Sequence, residues 1–273
     1  MTATISLAEA SERLGVHYMT AYRYVRTGRL PAHKEAGQWH VAEDDLTSFI
    51  SNPNPSAPRR DAIPERLFER LIAGDEFGAF QLLEAAMASG ADAEELYLDF
   101  LSPVLTEIGR RWHEGKLAIS EEHLATATAI RVIARIGPRI ASRGRSRGTV
   151  ILAGVSDDYH SLPTALLRDL LRCRAYNVVD LGANTPPESI VDQAMATDEL
   201  VAIGIASTNP GNDDIVKATI STIRERLDTP VIVGGGAFRD AEHIRSLGDC
   251  LPSMSARDLL ELVDGVHAAK ASS

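Results

Sequence analysis

The chain has 273 residues, enough for two or three domains of ordinary size. Hydrophobic residues make up 44% and charged residues 24%, which excludes a disordered chain, and no apolar run approaches the roughly 18–20 residues of a membrane span. The net charge of −10 excludes wholesale coating of nucleic acid, yet residues 1–60 carry +1 and the remainder −11, so phosphate contacts belong in the N-terminal part.

At the N-terminus, residues 1–10 lack the basic-then-apolar pattern of a secretory signal, and a cytoplasmic location with no membrane partner is expected. Residues 5–28 have the outline of a helix-turn-helix. Leu7, Ala10 and Leu14 form one apolar stripe, Gly15 supplies the turn, and Met19, Tyr22 and Val25 are spaced to pack a second helix. That helix would turn Tyr18, Thr20, Arg23 and Arg26 outward, side chains suited to phosphates and base edges. Residues 34–41 read as a turn between two short extended pieces, a wing bringing Lys34, Gln38 and His40 near a DNA backbone. Residues 44–50 close the module as a helix, although a small protein-interaction domain would share this outline. The arrangement resembles the winged helix-turn-helix of the MerR and excisionase group, which implies double-stranded promoter DNA as a partner.

The fold class expected for the whole chain is multidomain α and α/β. The winged helix-turn-helix takes residues 1–51, and a linker with three prolines between residues 51 and 60 takes 52–62. Residues 63–143 read as a four-helix bundle. Leu67, Leu71 and Ile72 recur at helical spacing, as do Phe77, Phe80, Leu82 and Leu83, then Leu96, Leu98, Phe100, Leu101, Leu105 and Ile108, then Leu124, Ile130, Ile133 and Ile136. A polar break at 142–148 precedes a change of pattern. Over 148–270 short apolar runs (149–155, 176–181, 200–205 and 230–234) alternate with helical stretches, the mark of a doubly wound parallel, Rossmann-like sheet. Ligands of such sheets sit at the carboxyl ends of the strands.

Asp158 and His160 follow the first of these strands. A lone histidine is more often a surface residue than a ligand, but this one lies at the expected ligand edge, two residues after a carboxylate. Such a carboxylate fixes the ring tautomer and makes the second nitrogen a better metal donor. One histidine cannot hold zinc, and the two cysteines, Cys173 and Cys250, form no CxxC. A macrocycle that brings its own equatorial ligands needs only one axial ligand from the protein. His243 and His267 fall on predicted helices away from that edge, facing solvent, and no catalytic pair accompanies Asp157 and Asp158, so no enzymatic site is expected.

The stretch Asp158-Tyr-His160-Ser161, then Ser207-Thr208-Asn209, then Gly234-Gly235-Gly236 resembles the cobalamin-binding fold of methionine synthase and corrinoid proteins. In that family the pattern is Asp-x-His-x-x-Gly, Ser-x-Leu or Ser-x-Thr, and Gly-Gly. Pro163 stands where the motif has glycine and Asn209 where it has Leu or Thr. The resemblance implies His160 below cobalt, with Asp158, Ser161, Ser207, Thr208, Gly234, Gly235 and Gly236 as further cofactor-binding residues, of which Ser207 and the glycine run line the slot for the nucleotide tail. In the helical part, Trp112 is followed after nine residues by Glu122-His123, a spacing that resembles the CarH/LitR photoreceptors. Locally, Ser120 reads as the helix N-cap, with Ile119 and Leu124 as a hydrophobic staple. The resemblance implies adenosylcobalamin, its upper face covered by Trp112, Glu122 and His123, and His113 as the second cobalt ligand after light.

The implied function is a light-responsive, adenosylcobalamin-dependent transcriptional regulator. It would bind DNA in darkness as a homo-oligomer, a dimer or tetramer, and release it when light breaks the cobalt–carbon bond. Two alternatives share the site: a corrinoid carrier for methyl transfer, and a cobalamin-containing photoreceptor that senses light through a bilin.

Overall fold

The computed structural model describes residues 4–26, 30–35, 37–51 and 60–271. The chain forms two compact units, residues 1–63 with 82–91, and residues 64–81 with 92–273.

In the first unit β1 (Thr4–Ser6) runs into α1 (Leu7–Arg13), whose first turn is capped by Ser6 Oγ accepting the Glu9 N–H at 3.2 Å. Gly15, at φ +65°, makes the turn to α2 (Tyr18–Arg26). Strands β2 (His33–Glu35) and β3 (Gln38–Ala42) pair antiparallel as the wing, β1 pairs with the other side of β3, and α3 (Glu43–Ser51) closes the module. Leu7, Ala10, Ala21, Leu30, Val41, Leu46 and Phe49 form its core. The apolar stripe of α2 differs from the one expected. Tyr22 and Val25 pack half-buried against the core as expected, but Ala21 takes the fully buried position and Met19 is 61% exposed. A small side chain at position 21 lets α2 lie close to α1 and rotates Met19 outward. Strand β1 is too short to show a period, and was not expected. Of the expected linker, residues 52–59 lie outside the described residues, and Arg60–Ala62 form a single 3-10 turn.

Four helical stretches follow: α4 (Ile63–Ile72), α5 (Glu76–Ala88), a π-helical segment (Glu95–Leu101) that continues directly into α6 (Ser102–His113), and α7 (Ile119–Ile140). Helix α7 starts earlier than expected. Ala118 is the N-cap residue and its N–H is taken by the Glu121 carboxylate at 2.8 Å, so Ser120 lies inside the first turn. Ile119 and Leu124, expected to staple that turn, are both exposed, and so are Phe77 and Ile130.

The second unit holds the parallel sheet expected from the apolar runs. Its elements are β4 (Thr149–Gly154), α8 (Leu162–Cys173), β5 (Asn177–Asp180), α9 (Pro187–Met195), β6 (Leu200–Ala206), α10 (Asp213–Arg224), β7 (Val231–Gly234), α11 (Ala241–Arg245), β8 (Leu251–Ser253) and α12 (Ala256–Ala271). Strand β8 was not expected, being three residues interrupted by Pro252. All neighbours are parallel in the order β5-β4-β6-β7-β8, with Ile151, Ile203, Ile205, Val231 and Val233 buried in the core. Strand order reverses between β4 and β6, so their carboxyl ends flank the crevice where doubly wound sheets take ligands. The polar break before β4 is stitched down: Ser142 N–H meets Arg172 O at 3.0 Å, and Arg147 N–H meets Ala175 O at 2.9 Å.

Candidate functional site

The loop leaving β4 is fixed from both sides. Asp157 takes φ +63° and gives its N–H to Asn184 Oδ1 at 2.8 Å, and Asn184, itself at φ +52°, gives its N–H to Asp158 O at 2.8 Å. Asn tolerates the left-handed region better than most residues. This turns the Asp158 carboxylate inward across the crevice, where its side chain is 2% exposed. Its Oδ2 accepts the N–H groups of Thr208 at 2.5 Å and Asn209 at 3.2 Å from the loop after β6. Its Oδ1 lies 2.7 Å from His160 Nδ1 and accepts the His160 N–H at 3.2 Å. Burial alone would raise the carboxyl pKa. The hydrogen bonds from Thr208, the His160 ring, the His160 backbone and Asn209 outweigh it and hold the group below the usual carboxylate range.

The His160 ring stands 49% exposed at the start of α8, with Nδ1 committed to Asp158. Its Nε2 meets no partner among the described residues. Among these residues, no three His, Cys, Asp or Glu side chains converge to hold a metal ion. The donor set therefore suits a metal that arrives with its other ligands in place. Ser161 and Pro163 lie in the first turn of α8, where the missing proline N–H costs no hydrogen bond.

Ser207 is fully buried at the end of β6; its N–H donates to Gly234 O at 2.9 Å. The glycine run after β7 has two different causes. A Cβ on Gly235, at φ +124°, would lie 2.1 Å from Ser207 O, and one on Gly234 would lie 2.5 Å from Ser253 O. Both glycines are demanded by backbone packing. Gly236 is not: a Cβ there would meet Thr208 O only at 3.8 Å. Of the three, Gly236 alone has room for a side chain.

On the helical side, Trp112 and His113 end α6 with exposed side chains that meet no hydrogen-bond or ring partner among the described residues. A short turn with Gly115 at φ +70° leads to α7. Glu122 and His123 meet in its first turn, with Glu122 Oε2 2.7 Å from His123 Nδ1 and Oε1 accepting the Thr126 hydroxyl at 2.8 Å.

In the N-terminal unit Tyr18, Arg23 and Arg26 are exposed on α2 and Thr20 is half-buried. Tyr18 stacks on Tyr22 with ring centroids 6.5 Å apart. Lys34 and Gln38 are exposed on the wing, and His40 packs its ring 5.9 Å from His33. Two histidines depart from expectation. His243 lies on α11 at the carboxyl edge itself; its side chain is only 14% exposed and its Nε2 is 2.9 Å from Asp213 Oδ2 at the start of α10. His267 meets the Tyr176 ring edge-on at 5.9 Å rather than facing water. The pairing of Asp213 with His243 spans two loops, and no local spacing announces it.

With this geometry in view, the chain carries two B12-binding domains and a helix-turn-helix domain. Residues 63–136 and 148–261 each match a family described as B12 binding domain, and residues 4–53 match a family described as helix-turn-helix domain. Among proteins it is similar to are the trimethylamine corrinoid protein 1 of Methanosarcina acetivorans, 26% identical over 199 residues, covering 70% of this chain and 91% of that one, and the methanol–corrinoid protein of Methanosarcina barkeri, 22% identical over 178 residues, covering 65% of this chain and 69% of that one. The solved structure of the Methanosarcina barkeri monomethylamine corrinoid protein shares the fold, with TM-score 0.63 and 17% identity over 75% of this chain and 98% of that one. No described helix is long and apolar enough to cross a membrane.

Proposed function

We propose that this chain is a light-responsive, adenosylcobalamin-dependent transcriptional regulator. The observation that carries the reading is the Asp158–His160 pair, 2.7 Å apart at the switch point of a B12-binding sheet, in a chain whose first fifty residues match a helix-turn-helix family. His160, oriented by Asp158, would be the imidazole that holds the cobalt. Ser161, Ser207, Thr208 and the Gly234–Gly236 run line the slot for the nucleotide tail. Trp112, Glu122 and His123 would hold the cofactor from the helical side, with His113 as a second imidazole there. When bound, the cofactor supplies a cobalt–carbon bond that light breaks.

The chain's own residues supply the rest. The exposed face of α2, with Tyr18, Thr20, Arg23 and Arg26, and the wing residues Lys34, Gln38 and His40 contact promoter DNA. One such module is weakly basic, so stable binding calls for a homo-oligomer, a dimer or tetramer whose modules act at high effective concentration. A two-state element whose balance the ligand biases then couples light to DNA release. The test is retardation of DNA carrying the regulator's own promoter, by protein loaded with adenosylcobalamin in the dark and then exposed to green light. Binding in the dark and release after light are expected; the same retardation in both states overturns the reading.

A corrinoid carrier for methyl transfer is the second reading, favoured by the chain's similarity to corrinoid proteins. It gives the N-terminal module no task, and a protein that never retards DNA would favour it. A bilin, as in a third reading, would show as a second chromophore in the visible spectrum of the purified protein.

A further inference from the structure

The π-helical segment Glu95–Leu101 and its flank carry side-chain ties from the helical layer to the sheet layer of the second unit, in addition to those at the end of α7, where the Cys173 thiol meets Ile140 O at 3.1 Å and Ser142 N–H meets Arg172 O at 3.0 Å. Glu94 Oε1 accepts Arg174 Nη2 at 2.5 Å, and its Oε2 is 3.8 Å from Arg257 Nε. Tyr97 donates its hydroxyl to Asp169 Oδ2 at 2.9 Å, and both side chains are fully buried. Asp99 Oδ1 accepts Arg257 Nη2 at 3.0 Å. Three positions within six residues are thus tied to α8 and α12. Helix α7 converges on the same carboxylate, for a Cβ on Gly137 would lie 2.3 Å from Asp169 Oδ2.

A buried polar pair adds little net stability over a well-packed apolar contact, but it accepts only one register. Arg168 Nε, 2.9 Å from Asp169 Oδ1, balances the carboxylate's charge. Burial, followed by that charge, pushes the Tyr97 hydroxyl above the usual phenol range, so it remains a donor. A π-helical turn is rare and recurs where function has displaced regular packing.

The position of the ties gives them a use. Helix α8 begins at Leu162, two residues after His160, and α6 ends at Trp112 and His113. From Asp99 to Trp112 is about 20 Å along a helix, so a tilt of about 10° at the π-helical segment moves the Trp112 end by about 3–4 Å. We propose that Glu94, Tyr97 and Asp99 are positioning residues that set the Trp112–His113 helix end against the His160 loop, and through it the choice of upper ligand, a step that rests on the corrin assignment above.

The test uses the full chain with Cys173 and Cys250 replaced by Ala and spin labels placed at Lys116→Cys and Tyr159→Cys. Label-to-label distances are measured without cofactor, in the parent and in the Tyr97→Phe and Asp99→Asn variants; the latter touches only an exposed pair and leaves the core intact. A single narrow distance in the parent, broadened in both variants, is expected, and an unchanged distribution in both overturns the proposal. Affinities for adenosylcobalamin and hydroxocobalamin form the second arm. The adenosyl preference should fall about tenfold in Tyr97→Phe with hydroxocobalamin binding retained, whereas equal weakening of both overturns a positioning role. A parent that takes up no corrin would sink the site assignment, while the distances still decide the anchor.

Discussion

The Asp158 carboxylate lies 2.7 Å from His160 Nδ1 and, through its other oxygen, gathers the Thr208 and Asn209 N–H groups from the neighbouring strand's loop. One buried side chain therefore orients the imidazole and closes the crevice. Asp158→Ala removes both actions. Three backbone N–H groups, those of Thr208, Asn209 and His160, lose their acceptor, at a cost of about 2–3 kcal/mol in stability. With the ring no longer held, affinity for hydroxocobalamin should fall about 10–100-fold, the usual effect of losing a partner behind a metal-ligating histidine. Urea melts and visible titration measure the two separately. Unchanged corrin affinity in a variant that has lost stability would detach Asp158 from ligand binding.

The same carboxylate gives the protein an acid-sensitive joint. Its pKa is below the ordinary value in the folded state, where the hydrogen bonds from Thr208, His160 and Asn209 overcome the effect of burial. A depressed carboxyl stabilises the fold at pH above its unfolded pKa of about 3.9, and that contribution is lost as pH falls through the folded value. Asp158→Asn does not titrate. The gap in Tm between wild type and this variant should stay constant from about pH 7 to pH 5 and close below about pH 4. A gap that persists at the acid end would mean the carboxylate is not stabilised in its charged form.

Much of this was legible from local pattern. Apolar runs such as 149–155 and 200–205 show a parallel sheet because strands buried on both faces need no polar alternation. Asp158 and His160 could be singled out because a strand's carboxyl end is where such folds take ligands. What stayed hidden depends on partners distant in sequence. Tyr97 reads as one more apolar position in a helix, and its meaning comes from Asp169, 72 residues later. The pairing of His243 with Asp213 likewise joins two loops across the edge. Phe77, Leu124 and Ile130 fit the helical period yet are exposed, since periodicity reports a stripe and not what covers it.

The glycine run separates packing from ligand space. Gly235→Ala places a methyl 2.1 Å from Ser207 O at a backbone φ of +124°, so it should cost well over 2 kcal/mol or prevent folding. Gly236→Ala meets only ordinary contacts, the nearest at 3.8 Å, and should change stability by less than about 0.5 kcal/mol. If Gly236 borders the tail slot, the same methyl should weaken corrin uptake in a protein that melts normally. Thermal melts with corrin titration check both, and a Gly236→Ala protein with unaltered uptake would remove that residue from the site.

The N-terminal module can be tested through salt. Arg26 and Lys34 are exposed, one near the end of α2 and one on the wing strand β2. If each contacts a phosphate, replacing either with Ala should weaken binding to promoter and unrelated DNA alike. The slope of log K against log salt should then fall by about one per side chain in each bound module. Gln38 carries no charge, so Gln38→Ala should leave the salt slope in place even if its amide contacts the DNA backbone. Retardation assays across a salt series measure both quantities, and a slope untouched by Arg26→Ala and Lys34→Ala together would place the DNA contact elsewhere on the chain.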